Sequence, residues 1–268
     1  MLDLGRNARS TRFLAGLTAA ALIGLTAGAS AVRADEAQAK SLLKAMSDYL
    51  AAQKALSFDF DSNLDIVTKE GQRLTLASSG SVALNRPDKV RATRSGGFAD
   101  VEFVFDGKTA SILGKNANAY VQVSAAGTID QVIDTLQNKY NRPMPGADLL
   151  LSNVYDEMMA SVTDVKDLGS GVVGGVECNH LAFRATDFDW QIWIATGDHP
   201  RPCLYTITST KVAGSPEYRV TVRDWKAGSD VAADDFTFKP PAGAQQLDVS
   251  KLANADELPD IFAVGGKQ

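Results

Sequence analysis

The chain has 268 residues, with 45% hydrophobic and 22% charged side chains, 22 Gly and 9 Pro, a composition that excludes collagen-like, coiled-coil and wholly disordered chains. Its 27 basic and 32 acidic residues give a formal charge of −5, which argues against a general nucleic-acid binder because no excess of cations meets the phosphates. Two Cys and two His leave little for a metal centre.

Arg6, Arg9 and Arg12 precede an apolar stretch at 13–29, and Ser30-Ala31-Val32-Arg33-Ala34 closes it with small residues. A basic start, an apolar middle and a small-residue end describe a cleaved secretory signal peptide over 1–34. Cleavage falls after Ala34 or, alternatively, after Ala31. A retained membrane anchor is the competing reading, but an apolar run of about 17 residues is marginal for a bilayer. Four of the 27 basic and one of the 32 acidic residues fall in this segment, leaving 23 against 31, or −8, on the mature chain. The expectation is an exported, soluble periplasmic protein with no stable membrane insertion after cleavage. In an oxidising compartment Cys178 and Cys203 are expected to form a disulfide, two separately buried thiols being the alternative.

Leu42, Leu43, Met46, Tyr49 and Leu50 recur at helical spacing and predict an amphipathic helix over 36–54. The period then becomes two. Phe58, Phe60, Leu64 and Ile66 alternate with Asp59, Asp61, Asn63 and Asp65, and beyond a turn at Glu70-Gly71 the pattern resumes at Leu74, Leu76, Val82 and Leu84. This is an antiparallel hairpin with one apolar and one polar face. Strands at 89–95, 100–106, 109–114 and 120–123 continue the meander. Helical spacing returns at Ile129, Val132, Ile133 and Leu136, with Thr128 as cap. After Pro143-Met144-Pro145-Gly146 it returns at Leu149, Leu150, Val154, Met158 and Met159. Five strands follow, at 162–168, 176–184, 189–195, 204–211 and 218–225. Gly169-Ser170-Gly171 reads as a hairpin turn and 235–238 as a short final strand.

The fold class is α+β: a single domain over 35–245, with 246–268 a loosely attached tail. A curled antiparallel sheet of about eleven strands carries one N-terminal helix and two helices inserted midway. A sheet of that length cannot stay flat with its apolar face wet, so it curls and the helices cover the concavity.

The candidates for lining a ligand cavity are the apolar positions Phe58, Phe60, Leu64, Ile66, Leu74, Leu76, Phe103, Phe105, Trp190, Ile192 and Met158. Each is ordinary core if the helices leave no space. Trp190 and Trp193, an odd number of residues apart, face opposite sides of a strand. The Met158-Met159 pair suits an adaptable lid or a plain buried helix face. His180, His199, Cys178 and Cys203 make a poor zinc set, because they do not share one strand face and the thiols would have to stay reduced. No G-x-S-x-G occurs, and Asp187-x-Asp189 reads as a turn cap. No catalytic residue, metal or cofactor is assigned.

Gly175, Cys178, the run His180-Leu181-Ala182-Phe183-Arg184 and the run Asp189-Trp190-Gln191-Ile192-Trp193-Ile194 form a dense pattern. It continues through Pro202-Cys203, Ile207-Thr208, Pro216, Tyr218, Trp225, Phe236-x-Phe238, Pro240-Pro241 and Gly243-Ala244. The pattern resembles a bacterial family of predicted periplasmic proteins built on a domain of unknown function. His180, Phe183, Asp189, Trp190, Gln191 and Trp193 are its most specific positions. That family looks like a branch of the LolA-like lipoprotein-carrier superfamily, whose unclosed barrel holds acyl chains under plugging helices. The resemblance implies a non-enzymatic binding or carrier protein for an acyl chain, lipid or lipidated polypeptide in an apolar half-barrel. An interaction or sensor module with a filled barrel is the alternative, and a hydrolase the second. Carriers of this superfamily gate the lid with interior polar residues, for which Arg91 and Arg94 qualify by strand position.

Overall fold

A computed structural model describes residues 28–97, 99–142 and 144–254, so residues 1–27 of the expected signal peptide lie outside the described residues. Helix α1 (Gly28–Ala52) buries Ala39, Leu43, Met46 and Leu50 completely, one face at alternating four- and three-residue steps. It is followed by β1 (Ala55–Val67), β2 (Arg73–Asn85), β3 (Lys89–Gly96), β4 (Asp100–Phe105), β5 (Thr109–Gly114) and β6 (Ala119–Ser124). After the helical insert come β7 (Val162–Val173), β8 (Val176–Ala185), β9 (Phe188–Ala195), β10 (Pro202–Ser209), β11 (Glu217–Ala227) and the two-residue β12 (Gln245–Gln246). All belong to one 12-stranded sheet, ordered β12-β6-β5-β4-β3-β2-β1-β11-β10-β9-β8-β7. The unclosed LolA-like half-barrel implied by the resemblance is the observed fold.

The order of strands explains the lid. β1 and β11 pair near the sheet's middle, which sends β6 and β7, consecutive in the chain, to opposite flanks. The connection over 125–161 therefore has to cross the open side. It contains α2 (Ile129–Asp134), where Thr128 and Gln131 form a complete capping box. A π-helical turn (Thr135–Lys139), a 3-10 turn (Ala147–Leu150) and α3 (Val154–Met159) follow. The second inserted helix, expected as one piece over 149–159, is thus broken. Leu151 is extended, and the Ser152 amide donates to Asp130 Oδ1 at 3.1 Å instead of to the helix behind it.

The concave face carries two cores. Leu43, Met46, Leu50, Val154 and Met158 from the helices pack with Leu181, Phe183, Trp190, Ile192 and Tyr205 of the C-terminal strands. Ile129, Val132, Ile133 and Leu136 pack with Leu84, Val90, Phe103, Phe105 and Val123 of the N-terminal strands. Phe60 and Trp225 touch both, marking the seam between them.

Two local expectations are corrected. Gly169-Ser170-Gly171 lies inside β7, with a bulge at Leu168-Gly169 between the paired Asp167 and Ser170. The hairpin turn is Gly174-Gly175, with φ of +56° and +84°, the doubly positive turn that a two-residue hairpin needs. Residues 235–238 are not a strand. Asp234 Oδ1 accepts the Phe236 amide at 2.7 Å and Asp235 Oδ1 the Thr237 amide at 2.9 Å, and such local bonds compete successfully with a sheet ladder. The segment instead straps the convex face: Arg91 bonds Asp234 at 2.7 Å, and Phe238 lies 5.2 Å from the Tyr120 ring. Val104 and Leu113, which the register places beside Arg91 and Tyr120, are buried on this outer side. The strap ends where β12 joins β6 in parallel, and Leu247 and Val249 pack on the second core. Of the chain after Gly243, expected to hang loosely, residues 245–249 are held through these contacts, and residues 255–268 lie outside the described residues.

Arg91 anchors the strap through Asp234 and the Thr237 carbonyl, and is itself held by Glu102 of β4. Arg91→Met is expected to cost about 2 kcal/mol, since hydrogen bonds to charged groups are lost. It should show as a lower urea midpoint and faster proteolysis within 229–244. The hydrogen bond from Arg91 holds the Asp234 carboxyl below its usual range. A lowered folded-state value contributes stability that is complete above the ordinary carboxylate pKa and is lost as pH falls through the lowered one. Strap cleavage in the wild type should therefore rise below about pH 4, and the variant should lack that rise.

Candidate functional site: a cavity between two cores

Each half of the sheet fills its own concavity with helices, and the seam before β1, β11, β10 and β9 meets the insert's irregular segment together with Ile133 of α2 and Glu157 and Met158 of α3. Register lines up Leu64 with Tyr218, Tyr218 with Ile207, and Ile207 with Trp190 along that wall. A cavity of about 650 Å³ lies in front of them, closed from the other side by Ile133, Met144, Asp148, Leu151, Glu157 and Met158 of the insert. That volume falls within the range of about 300–1,000 Å³ typical of small-molecule sites.

Among the described residues, three polar bonds tie the lid's cavity-side segment to the wall, to the end of β2 and to α1. Tyr205 donates its hydroxyl to Asp148 Oδ2 at 2.9 Å. Arg86 donates to the Leu151 carbonyl at 3.1 Å, and the Tyr155 amide to Ser47 Oγ at 3.0 Å. Burial pushes the Asp148 carboxyl up and outweighs the Tyr205 bond, which pulls it down. Burial, then the Asp148 charge, push the Tyr205 phenol well above its usual value. Tyr218 is also raised by burial, against the Ser62 bond and the charge of Arg94.

Of the apolar positions named from the sequence, Leu64, Trp190 and Met158 line the cavity. Phe103 and Phe105 are core of the N-terminal half and Ile192 of the C-terminal half. Phe58 stacks on Trp225 at 5.4 Å, and Phe60 bridges the two cores. Ile66 is buried away from the lining, and Leu74 and Leu76 are half-buried on β2. Tyr205, Ile207, Tyr218 and Asp148 were not foreseen. The first three continue the alternation of their strands, Tyr205 with Ile207 and Tyr218 with Val220, which was the available signal; Asp148 had none.

The motif positions resolve into two stacked pairs on opposite faces of β8 and β9. Phe183 lies on Trp190 at 3.8 Å on the concave side. His180 lies on Trp193 at 3.8 Å on the convex side and hydrogen-bonds Gln191 Oε1 at 2.9 Å. Asp189 pairs with Arg184 at 3.0 Å. His199 sits apart, 5.7 Å from the Tyr49 ring. Cys178 and Cys203 are both buried and free; they stand 3.0 Å apart, not at disulfide distance. The disulfide expected between them is therefore absent from the structure, although its two partners are brought together. Arg91 faces the convex side, bound to the strap, while register puts Arg94 on the concave face opposite Gly80. Among the described residues no group of three or more His, Cys, Asp and Glu converges as metal ligands do, and no helix is long and apolar enough to cross a membrane.

No curated protein matches the chain in sequence. Among solved structures, an uncharacterised conserved protein from Thermus thermophilus is similar at 14% identity and a TM-score of 0.47, over 79% of this chain and 99% of that one. The Mycobacterium tuberculosis lipoprotein LppX is similar at 11% and 0.39, over 74% and 100%. A Pseudomonas aeruginosa MucA/MucB complex is similar at 16% and 0.43, over 75% of this chain and 61% of that one. The sequence model of the predicted periplasmic proteins DUF2092 matches residues 39–250, over the whole sheet and all of the insert, and the chain belongs to that family.

Proposed function

We propose that the protein is a non-enzymatic periplasmic binding or carrier protein that holds an acyl chain, as a lipid or as the lipid part of a lipoprotein, between its two cores. The cavity carries this reading: about 650 Å³ beside Leu64, Trp190, Ile207 and Met158, under the inserted segment that crosses the open side of the sheet. Burial of each methylene there contributes about 0.8 kcal/mol, so one chain is held without a covalent or metal anchor. Native purification, organic extraction and mass spectrometry should recover a lipid, and delipidated protein should bind the neutral fluorophore N-phenylnaphthylamine. Leu64→Trp fills the space from β1 and is expected to weaken that binding by about tenfold with unchanged circular dichroism. An empty extract together with no fluorophore binding overturns the reading.

A protein partner is the second reading. It is favoured by Leu168 and Val172, exposed by 48% and 72% on the flanking strand β7, where a free edge accepts an added strand. Cross-linking in the periplasm through a photoreactive residue at Val172 tests it.

In the periplasm Cys178 and Cys203 close into a disulfide by a shift of about 1 Å toward the usual bond length. Burial, reinforced by Cys203, pushes the Cys178 thiol up to about 12. The thiolate needed for exchange is then scarce in the folded state. Periplasmic protein should resist alkylation after denaturation. Reduction should cost about 3 kcal/mol, the value of closing a loop of this length.

A further inference from the structure

The cavity has charges of one sign. Asp148 and Glu157 on the insert and Asp65 and Glu217 on the wall border it, and among the described residues no Lys or Arg does. Asp65 and Glu217 are answered from outside the lining, by Arg73 at 3.3 Å and Arg219 at 3.0 Å. Arg94, whose charge reaches Tyr218, also lies outside the lining. Asp148 and Glu157 have neutral partners instead, the Tyr205 hydroxyl at 2.9 Å and the Asn153 amide at 3.0 Å.

Burial is the largest influence on Asp148 and raises its pKa. Asp148 is half-buried at the cavity's border, and a carboxylate drawn from water without an opposite charge is costly and is normally paired or neutralised. Among the described residues its side-chain hydrogen-bond partner is a phenol on the facing wall, Tyr205 at 2.9 Å. The rings of Trp190, Tyr205 and Tyr218 border the same space, and aromatic rings attract a cation that loses its water. A fatty-acid carboxylate or a phosphate would enter among like charges, whereas an ammonium group would supply what Asp148 lacks.

We propose that the cavity takes an amphiphile with a positively charged polar end, an alkylamine or alkylammonium, seated with the charge at Asp148 and Tyr205 and the chain along Leu64, Ile207 and Met158. The proposal rests on the reading of the cavity as a site for a lipid's hydrocarbon chain and specifies the polar end that chain carries.

The test uses delipidated full-length protein carrying N-phenylnaphthylamine, displaced by dodecyltrimethylammonium, dodecanol and dodecanoate below their micelle concentrations. The ammonium should displace the fluorophore at about tenfold lower concentration than the carboxylate, with the alcohol between them. Asp148→Asn should bring the ammonium-to-alcohol ratio close to one. Glu157→Gln, at an exposed position, should shift that ratio in the same direction by less, and serves if the first variant does not fold. A carboxylate that competes as well as the ammonium overturns the proposal, as does a preference that both variants leave intact. Failure of the acyl-binding reading is distinct, since the fluorophore would then not bind and dodecanol would displace nothing.

Discussion

Trp190→Ala is expected to destabilise the protein by about 3–5 kcal/mol, the range for removing a large aromatic side chain from a core. Trp190 is 1% exposed and stacks on Phe183 at 3.8 Å with an interplanar angle of 7°. Its edge meets Tyr205, centroids 6.0 Å apart. Its loss would remove the wall that separates the C-terminal core from the cavity, so both cannot keep their shape. The measurement is urea unfolding followed by circular dichroism, with Trp193→Ala for comparison. Trp193 is half-buried on the convex side against His180 and should cost markedly less. Equal costs would mean that the two faces of β9 contribute alike, against the burial seen here.

The second large effect is expected at Gly80, where space rather than backbone freedom requires glycine. A Cβ there would lie 1.9 Å from the Thr93 carbonyl oxygen and 2.6 Å from the Phe60 ring. Register places Gly80 between Phe60 on β1 and Arg94 on β3, so the clash falls on main chain of one neighbour and on the ring that joins the two cores. Overpacking of this kind costs about 3 kcal/mol when backbone has to move. Gly80→Ala should lower the urea midpoint accordingly, while Gly97→Ala, with nothing near its added carbon, should change it little. If Gly80→Ala were equally mild, Phe60 would be free to swing away, and the seam between the cores would be softer than its packing indicates.

The strands were legible because each alternates along its whole length, and the alternation of Phe58 to Ile66 against Leu74 to Leu84 names the concave face directly. It does not say at what height along a strand a residue sits. Phe103, Phe105 and Ile192 were expected on the correct face but lie where α1, α2 and α3 fill the concavity. Leu64 shares their face and lies at the seam. That distinction depends on how far each helix reaches, and packing between distant segments decides it. The break in the second inserted helix had the same origin: Leu149, Leu150, Val154 and Met158 fit one helical face, yet Ser152 is claimed by Asp130, 22 positions earlier. The strap was misread for a local reason. Phe236-x-Phe238 has the spacing of a strand, but Asp234 and Asp235 turn the backbone on themselves. For Asp148 no pattern existed, because its role comes from a tyrosine 57 positions away.

The pairing of β1 with β11 sets the order in which the molecule can be completed. Arg223 bonds Asp61 across 162 positions of sequence, whereas β1 to β6 and β7 to β11 each pair with immediate neighbours. A chain that emerges N-terminus first can assemble its first meander early, but β1 then waits with one open edge until nearly the whole sequence has followed. Contacts of such long separation form slowly, and an open edge is the site where a strand recruits the wrong partner. The step that joins β11 to β1 is therefore the slow one, and β1 is the strand a holding chaperone would have to shield until it occurs.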